Sequence, residues 1–210
     1  MAADLTRQAA LHRIAEQLRA AAVARFPQAA TLPPLVLFTD PKRVPDPVAI
    51  AQRLPQGCGV VYRAFGAPDA EETARALAEL ARRKGLALLV GAEWRLARRI
   101  GARGVHLPQR LAHRAPIIRS AWPEAMITAA AHSRSALARA ARFGADAAFL
   151  SPVFPSASPS AGAPLGSPRF AAMARAAGLP VYALGGVDEK NAPALLRSGA
   201  VGLAAVSALA

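Results

Sequence analysis

Eight short apolar runs, separated by stretches long enough to hold a helix, constrain the fold of this 210-residue chain more than any other feature. Successive runs begin 18 to 33 residues apart, and nearly every position within them is apolar. Runs of this kind are typical of strands buried on both faces, as in parallel sheets whose strands are joined by helices. They cover residues 35–39, 59–63, 86–90, 104–107, 126–130, 147–151, 180–184 and 202–206.

The segments between the runs carry the signals that begin and end helices. Segment 69–84 opens with Asp69 and closes with basic residues before Gly85, an order that complements the helix dipole and supplies a glycine C-cap. Segments 133–143 and 188–198 repeat this design, so helices are predicted there too. Eight strands with seven such connections predict an α/β fold, a (β/α)8 TIM barrel. A doubly wound open sheet is the alternative, but the near-regular spacing favours closure.

The expected eighth outer helix is missing after the last run, while a helix-patterned segment, 5–26, precedes the first. A helix entering strand one can fill the groove between strands eight and one, which would otherwise expose apolar surface. We therefore expect an N-terminal helical segment, residues 1–30, and a single TIM-barrel domain, residues 31–210. Either this helix or a partner subunit covers the groove.

The charge and composition narrow the range of partners. The chain has 26 basic and 13 acidic residues, a net charge of +13, but its arginines are scattered and show no pattern of basic and stacking aromatic residues. We expect no nucleic-acid partner, although the charge should attract phosphorylated small molecules. Uncharged runs are broken by Pro, Ser and Gly, and the N-terminus lacks an apolar signal region, which predicts no membrane association and a cytoplasmic location. Cys58, the single cysteine, cannot form an internal disulfide.

Two neighbouring strand ends predict a phosphate site. TIM barrels place their active sites at the carboxyl ends of the strands, and often bind phosphate in the loops after strands seven and eight. Gly185 and Gly186 follow the seventh run, and Val206 and Ser207 follow the eighth. Glycines let backbone N–H groups approach an anion, and the serine adds a hydroxyl. A tight turn that needs positive φ angles is the alternative explanation of the two glycines.

Further candidates lie at the ends of other strands. His132 follows strand five, where a histidine can move protons, or can simply be a solvated residue before the next helix. Arg63 ends strand two and can bind an anionic ligand or pair with Asp40. Gln109 follows strand four and can hydrogen-bond a ligand, whereas His106 lies within that strand and is expected to be structural.

The longest irregular stretch, residues 151–166, follows strand six on the same face. Its Pro, Ser, Ala and Gly content is typical of a mobile lid, with Ser156, Ser158 and Ser160 as hydroxyl donors to a ligand. A disordered insertion is the alternative.

Seven motifs follow one another in an order that is specific in combination. They are LFTD (37–40), GVHLPQ (104–109), AHS (131–133), GADAAFLSPVFPSAS (144–158), PLG (164–166), PVYALGGV (180–187) and SGAVGLAAVSA (198–208). Through them the chain resembles the thiamine phosphate synthase and TenI family over residues 35–208. The resemblance implies a (β/α)8 barrel that acts on thiazole phosphate compounds in thiamine biosynthesis.

The chain departs from the synthase branch of that family where the reaction needs charge. A synthase joins a pyrimidine pyrophosphate to a thiazole phosphate with magnesium, and its two metal-binding aspartates align with Ala92 and Leu111. Two of its lysines align with Phe65 and Pro159. Magnesium needs hard oxygen ligands, and Glu93 is expected to open a helix rather than to replace them. We therefore expect no bound metal and no cofactor.

The TenI-like branch isomerises a thiazole carboxylate phosphate to its aromatic tautomer, a proton transfer without a metal. Its catalytic histidine lies where His132 stands, although synthases also carry a histidine there. The leading prediction is a metal-independent thiazole tautomerase with His132 catalytic and Arg63 facing the substrate carboxylate, while Gln109, Ser156 and Ser158 contact substrate. The alternatives are a divergent thiamine phosphate synthase and a non-catalytic thiazole-phosphate binder. The family resemblance also implies a homodimer.

Overall fold

A computed structural model of the protein describes residues 2–156 and 162–210, in which eight parallel strands close into one barrel. Each strand pairs with its neighbours in the sequence, and the eighth pairs with the first. The TIM-barrel prediction is confirmed, and each predicted run matches a strand to within one residue at either end. The strands are β1 Leu35–Phe38, β2 Gly59–Tyr62, β3 Ala87–Gly91, β4 Gly104–Leu107, β5 Met126–Ala131, β6 Ala147–Leu150, β7 Val181–Leu184 and β8 Gly202–Ala205.

Helices surround the barrel and include those predicted over 69–84 and 133–143. The α-helices are α1 Ala2–Ala22, α2 Pro47–Arg53, α3 Ala70–Lys84, α4 Trp94–Arg99, α5 Ala115–Ala121, α6 Arg134–Arg142 and α7 Gly166–Ala176. Helix α3 is capped at its C-terminus by Gly85 in the left-handed conformation, as its sequence predicts. Helix α6 begins after Ser133, whose side chain accepts a hydrogen bond from the Ala136 amide.

The helix predicted over 188–198 is wrong. This connection between β7 and β8 contains only a short 3-10 helix, Ala192–Leu195. The Asp188 carboxylate accepts hydrogen bonds from the amides of Lys190 and Asn191, which folds the start of the segment into a turn. Pro193 then removes a backbone donor that a longer helix would use.

Helix α1 lies over the groove between the last strand and the first. It contacts both β8 and β1, and its residues Leu11, Ala15 and Leu18 are buried. The side-chain amide nitrogen of Gln8 donates a hydrogen bond to the backbone carbonyl oxygen of Leu209, 3.1 Å away. This bond ties the helix to the segment after β8. The helix therefore supplies the apolar cover that the groove requires.

A cluster of rings fills the inside of the barrel. The Phe38 ring meets Phe149 edge-on with centroids 4.8 Å apart, and Phe149 stacks on Tyr182 at 4.6 Å. The buried Tyr182 hydroxyl donates to the Pro33 carbonyl oxygen, 2.6 Å away. This packed interior forms the floor on which the loops at the carboxyl ends of the strands rest. None of the helices in the described residues has both the length and the apolar character of a membrane span.

Candidate active site

A cavity of about 920 Å³ opens at the carboxyl ends of the strands. Its walls bring together every candidate site residue named from the sequence, apart from Ser158, which lies outside the described residues together with Ser160. The candidates that line it are Arg63, Gln109, His132, Ser156, Gly185, Gly186, Val206 and Ser207.

The two glycines after β7 are required by both conformation and space. Gly185 and Gly186 have φ angles of +93° and +67°. A Cβ atom on Gly186 would lie 2.2 Å from the Pro155 carbonyl oxygen, and one on Gly185 would lie 2.8 Å from Cα of Pro152. The loop after β6 thus packs directly on the glycine turn, and the Phe154 amide donates to the Gly185 carbonyl. The turn has a structural reason of its own, whatever it binds.

A further hydrogen bond holds the loop after β7, beside which the loop after β8 lies. The Asn191 side-chain amide donates to the Gly186 carbonyl oxygen, 2.7 Å away, which fixes the glycine turn from its far side. Ser207 is exposed directly beyond β8, the neighbour of β7 in the sheet, and Val206 beside it is partly buried. A hydroxyl and a glycine backbone therefore line the same part of the cavity.

His132 is held at the edge of the cavity by Ser151 and Gln109, and the Ser151 hydroxyl lies 3.3 Å from its Nδ1 atom. Its Nδ1 atom lies 2.7 Å from the Ser151 carbonyl oxygen, and its backbone amide donates to the Gln109 side-chain oxygen at 3.0 Å. A carbonyl only accepts hydrogen bonds, so this contact assigns the proton of the neutral imidazole to Nδ1 and leaves Nε2 as an acceptor. Gln109, predicted to contact a ligand, therefore also positions the histidine backbone.

Arg63 is fixed against the end of β1. Its Nε atom donates to the Thr39 carbonyl oxygen at 2.8 Å, and its guanidinium lies 5.3 Å from the centre of the Phe38 ring. Burial lowers the pKa of Arg63 to about 10, so the group is still charged at neutral pH. Among the described residues, its buried Nη2 atom has no hydrogen-bond partner.

The expected pairing of Arg63 with Asp40 is loose. Nη2 of Arg63 lies 4.0 Å from the nearer Asp40 oxygen, whereas Arg43 reaches the same oxygen at 2.9 Å. The Arg43 hydrogen bond is the main reason that the pKa of Asp40 is lowered. Asp40 therefore pairs mainly with Arg43. The Nη2 atom of Arg63 keeps N–H donors that an anionic ligand can accept from.

His106 lies on the cavity floor in a nearly dry environment. Its Nδ1 atom is 3.0 Å from the Thr128 hydroxyl, and its ring meets Phe38 and Phe149 edge-on. Burial, and to a lesser extent the charge of Arg63, lowers the pKa of His106 to about 3. The ring is therefore neutral at physiological pH, in keeping with the structural role expected for it.

With this geometry in place, comparison with known proteins identifies the family. The family model TMP-TENI, described as thiamine monophosphate synthase, matches residues 35–209. The chain belongs to this family.

Similar proteins carry the same family description. The chain is 37% identical over 139 residues to a protein of Geobacter sulfurreducens named putative thiamine-phosphate synthase, covering 66% of the chain and 65% of that relative. It is 34% identical to a thiamine-phosphate synthase of Chloroflexus aurantiacus, covering 66% of the chain and 64% of the relative. The matches therefore span slightly less than two thirds of these relatives. A thiamine phosphate pyrophosphorylase from Pyrococcus furiosus shares the fold, with a TM-score of 0.72, 24% identity and coverage of 85% and 87% of the two chains.

The magnesium of the family's synthase branch does not fit the residues at the ends of β3 and β4. Ala92 is a left-handed residue with φ of +63°, and Leu111 is a buried apolar side chain. Glu93 lines the cavity, but no group of three or more His, Cys, Asp and Glu side chains that could hold a metal is found within residues 2–156 and 162–210. The donor set is thus poor in the carboxylate oxygens that magnesium prefers.

The cavity lining also includes further residues that the sequence reasoning did not select, among them Arg43, Phe65, Lys190 and Arg7. Arg43 and Phe65 come from the loops after β1 and β2, Lys190 from the loop after β7, and Arg7 from helix α1. Of these four, Arg43, Phe65 and Lys190 lie in loops that follow strands, so a search of every loop at the carboxyl ends of the strands would have found them. Arg7 reaches the cavity because α1 lies beside β8, and it pairs with Glu189 at 3.5 Å.

Proposed function

We propose that this member of the family is a metal-independent thiazole tautomerase that moves a proton on a thiazole phosphate at His132. The observation that carries the proposal is the 2.7 Å contact between His132 Nδ1 and the Ser151 carbonyl oxygen. A histidine held in this way presents Nε2 as a general base with a fixed ring orientation.

In this proposal the substrate spans the cavity between two anion-binding groups. The turn at Gly185 and Gly186, with Val206 and Ser207, would take the phosphate, because glycine amides and a hydroxyl suit an anion. Arg63 would take the carboxylate, because its buried Nη2 atom lacks a hydrogen-bond partner among the described residues. Ser156 lines the cavity on the side of the β6 loop, where it can contact the bound substrate.

The proposed reaction needs one proton carrier. Nε2 of His132 removes a proton from a ring carbon of the thiazole carboxylate phosphate, and the electron pair left behind moves into the ring. The imidazolium then returns a proton to the exocyclic carbon attached to the ring, so that the exocyclic double bond becomes a ring double bond and the aromatic tautomer forms. No atom is gained or lost overall, and the Ser151 carbonyl stabilises the imidazolium through the Nδ1 hydrogen.

The second candidate is a divergent thiamine phosphate synthase, and the comparisons favour it over the tautomerase. The relatives described above carry the synthase name, with 37% and 34% identity. A cavity of about 920 Å³ is also near the upper end of ordinary ligand sites, which suits two small substrates. Against this candidate stand the missing carboxylates at Ala92 and Leu111, and no step through magnesium is derived for this chain.

One assay distinguishes these candidates. The purified protein is incubated with each thiazole phosphate tautomer, with and without the pyrimidine pyrophosphate and magnesium. Conversion of the tautomer that persists in EDTA and is lost in His132→Ala supports the tautomerase. His113→Ala is the matched control, because His113 is exposed and is not among the residues that line the cavity.

Two other results would replace the proposal. Magnesium-dependent formation of thiamine phosphate by this protein alone would establish the synthase. Binding of thiazole phosphate without turnover in either assay would leave a non-catalytic binding protein. Three properties stay predictions: the homodimer, the cytoplasmic location and the lack of a nucleic-acid partner. Light scattering of the purified protein tests the homodimer.

A further inference from the structure

Phe65 is the most exposed large apolar side chain in the described part of the protein. Its side chain is 69% exposed, in the loop that follows β2. Unlike the exposed Ile117, it lines the cavity at the carboxyl ends of the strands. An aromatic ring at the mouth of a binding cavity, instead of in the core, loses the burial that normally stabilises it.

The backbone of Phe65 is also unfavourable for its side chain. Its φ angle is +49°, in the left-handed region that non-glycine residues avoid. The following residue, Gly66, has φ of +81°, so two consecutive residues turn the loop in this way. Strained residues of this kind concentrate at ligand sites, where the surrounding structure holds them in place.

The ring of Phe65 forms one side of a stack around Arg63. The Arg63 guanidinium carbon lies 5.1 Å from the centre of the Phe65 ring and 5.3 Å from the centre of the buried Phe38 ring. The guanidinium therefore contacts one exposed ring and one buried ring. This contact keeps the Phe65 ring beside the anion-binding group and leaves most of its surface free at the mouth of the cavity.

We propose that Phe65 is a specificity-determining residue whose ring stacks on the flat heterocycle of the bound phosphorylated ligand. The inference rests on the proposed binding of a thiazole phosphate, but it holds for a tautomerase, a synthase or a binder.

The simpler alternative is that Phe65 only shields Arg63 from water. That role needs an apolar group of similar size, which leucine supplies as well as phenylalanine. It also predicts the same change in affinity for ligands with and without a ring. Stacking instead requires an aromatic ring on both partners, so the two roles differ in their response to leucine and to ring-free ligands.

The test measures binding of two probes by calorimetry, thiazole phosphate and the ring-free glycerol phosphate. Stacking predicts that Phe65→Ala and Phe65→Leu weaken thiazole phosphate binding about three- to tenfold and change glycerol phosphate binding less than about twofold. Phe65→Tyr should bind thiazole phosphate as tightly as the unaltered protein, because it keeps an aromatic ring. Phe65→Gly should weaken it as alanine does without lowering Tm, because glycine accepts the left-handed backbone.

Ile117→Ala is the matched control, since Ile117 is 66% exposed and is not among the cavity-lining residues. It should change neither affinity. Full binding of thiazole phosphate by Phe65→Leu, or equal weakening of both probes, would overturn the inference while leaving the proposed function intact. Binding of neither probe by the unaltered protein would refute the proposed function, and the inference with it.

Discussion

The two halves of the barrel mouth are built in different ways. On the side of β6, β7 and β8 the cavity wall includes two glycines that pack on the backbone of the loop after β6, and we call this side the backbone-built half. On the side of β2, β3 and β4 the wall is made of side chains, including Arg63, Phe65 and Glu93. Four of the seven motifs through which the chain resembles its family lie on the backbone-built half. On the side-chain-built half, Phe65, Ala92 and Leu111 stand where the resemblance implies charged residues in the synthase branch.

The difference has a physical reason. Gly186 cannot change without a collision with the Pro155 carbonyl, so the phosphate corner is coupled to the packing of the barrel. Ala92 and Arg110, by contrast, line the cavity after β3 and after β4, and Arg110 belongs to the short 3-10 helix Gln109–Arg114. Substitutions at the proposed phosphate site are therefore constrained by packing.

The largest expected effect concerns the proton carrier between the two halves. His132→Ala should lower the rate of tautomer conversion by about 10²- to 10⁴-fold, the usual contribution of a general acid or base. Initial rates with a saturating thiazole phosphate tautomer measure it, with His113→Ala as the control. An unchanged rate would remove the histidine from the mechanism and weaken the contrast between the two halves.

A single added Cβ atom should destabilise the backbone-built half. Gly186→Ala places that atom 2.2 Å from the Pro155 carbonyl oxygen at a φ of +67°, so it should cost about 3 kcal/mol of unfolding free energy and most of the phosphate affinity. Gly144→Ala has a similar φ of +77° with no atom within 4 Å, and should cost only about 1 kcal/mol. Urea denaturation of both variants compares them, and equal losses would contradict the packing argument.

The buried His106 beneath both halves should make the free energy of unfolding depend on pH. His106 has a folded-state pKa of about 3 and an ordinary one when unfolded, so the unfolded chain binds the extra proton as the pH falls below about 6.5. This contribution to stability is full at neutral pH, and about 2 kcal/mol of it should be lost between pH 7 and pH 5. Urea denaturation at the two pH values measures the loss. His106→Gln should lose less, and an equal loss in both proteins would contradict the assignment.

The smallest effect is expected in the side-chain-built half. Ala92 has a φ of +63°, which alanine tolerates poorly and glycine tolerates well. Ala92→Gly should therefore raise the unfolding free energy by about 1 kcal/mol or less, while thiazole phosphate affinity stays within about twofold. A thermal melt and a binding titration check both values. Lower stability would mean that the alanine methyl group makes contacts that matter more than its backbone strain.

The sequence predicted the barrel well because buried parallel strands have a strong local signal. Each of the eight runs matched a strand to within one residue at either end. Segment 188–198 failed because the turn at Asp188 and the proline at 193 outweigh its helical pattern. Site positions could be predicted from strand ends, since the fold directs those loops to one face.

Other properties of the site depend on contacts between distant parts of the chain. The proton position on His132 follows from the carbonyl of Ser151, 19 residues away in sequence. The low pKa of His106 follows from burial among rings contributed by several strands. The left-handed backbone of Phe65 has no sequence signal, because phenylalanine is an unfavourable choice for it. Such features require the assembled barrel.

Helix α1 has a consequence for how the protein is made. The strand β8, on which its apolar face packs, is synthesised about 180 residues after it. Until then Leu11, Ala15 and Leu18 have no partner there, and the Gln8 hydrogen bond to Leu209 spans 201 residues. The helix therefore reaches its final packing only after β8 has been synthesised, and until then its apolar face is a surface that a chaperone can recognise.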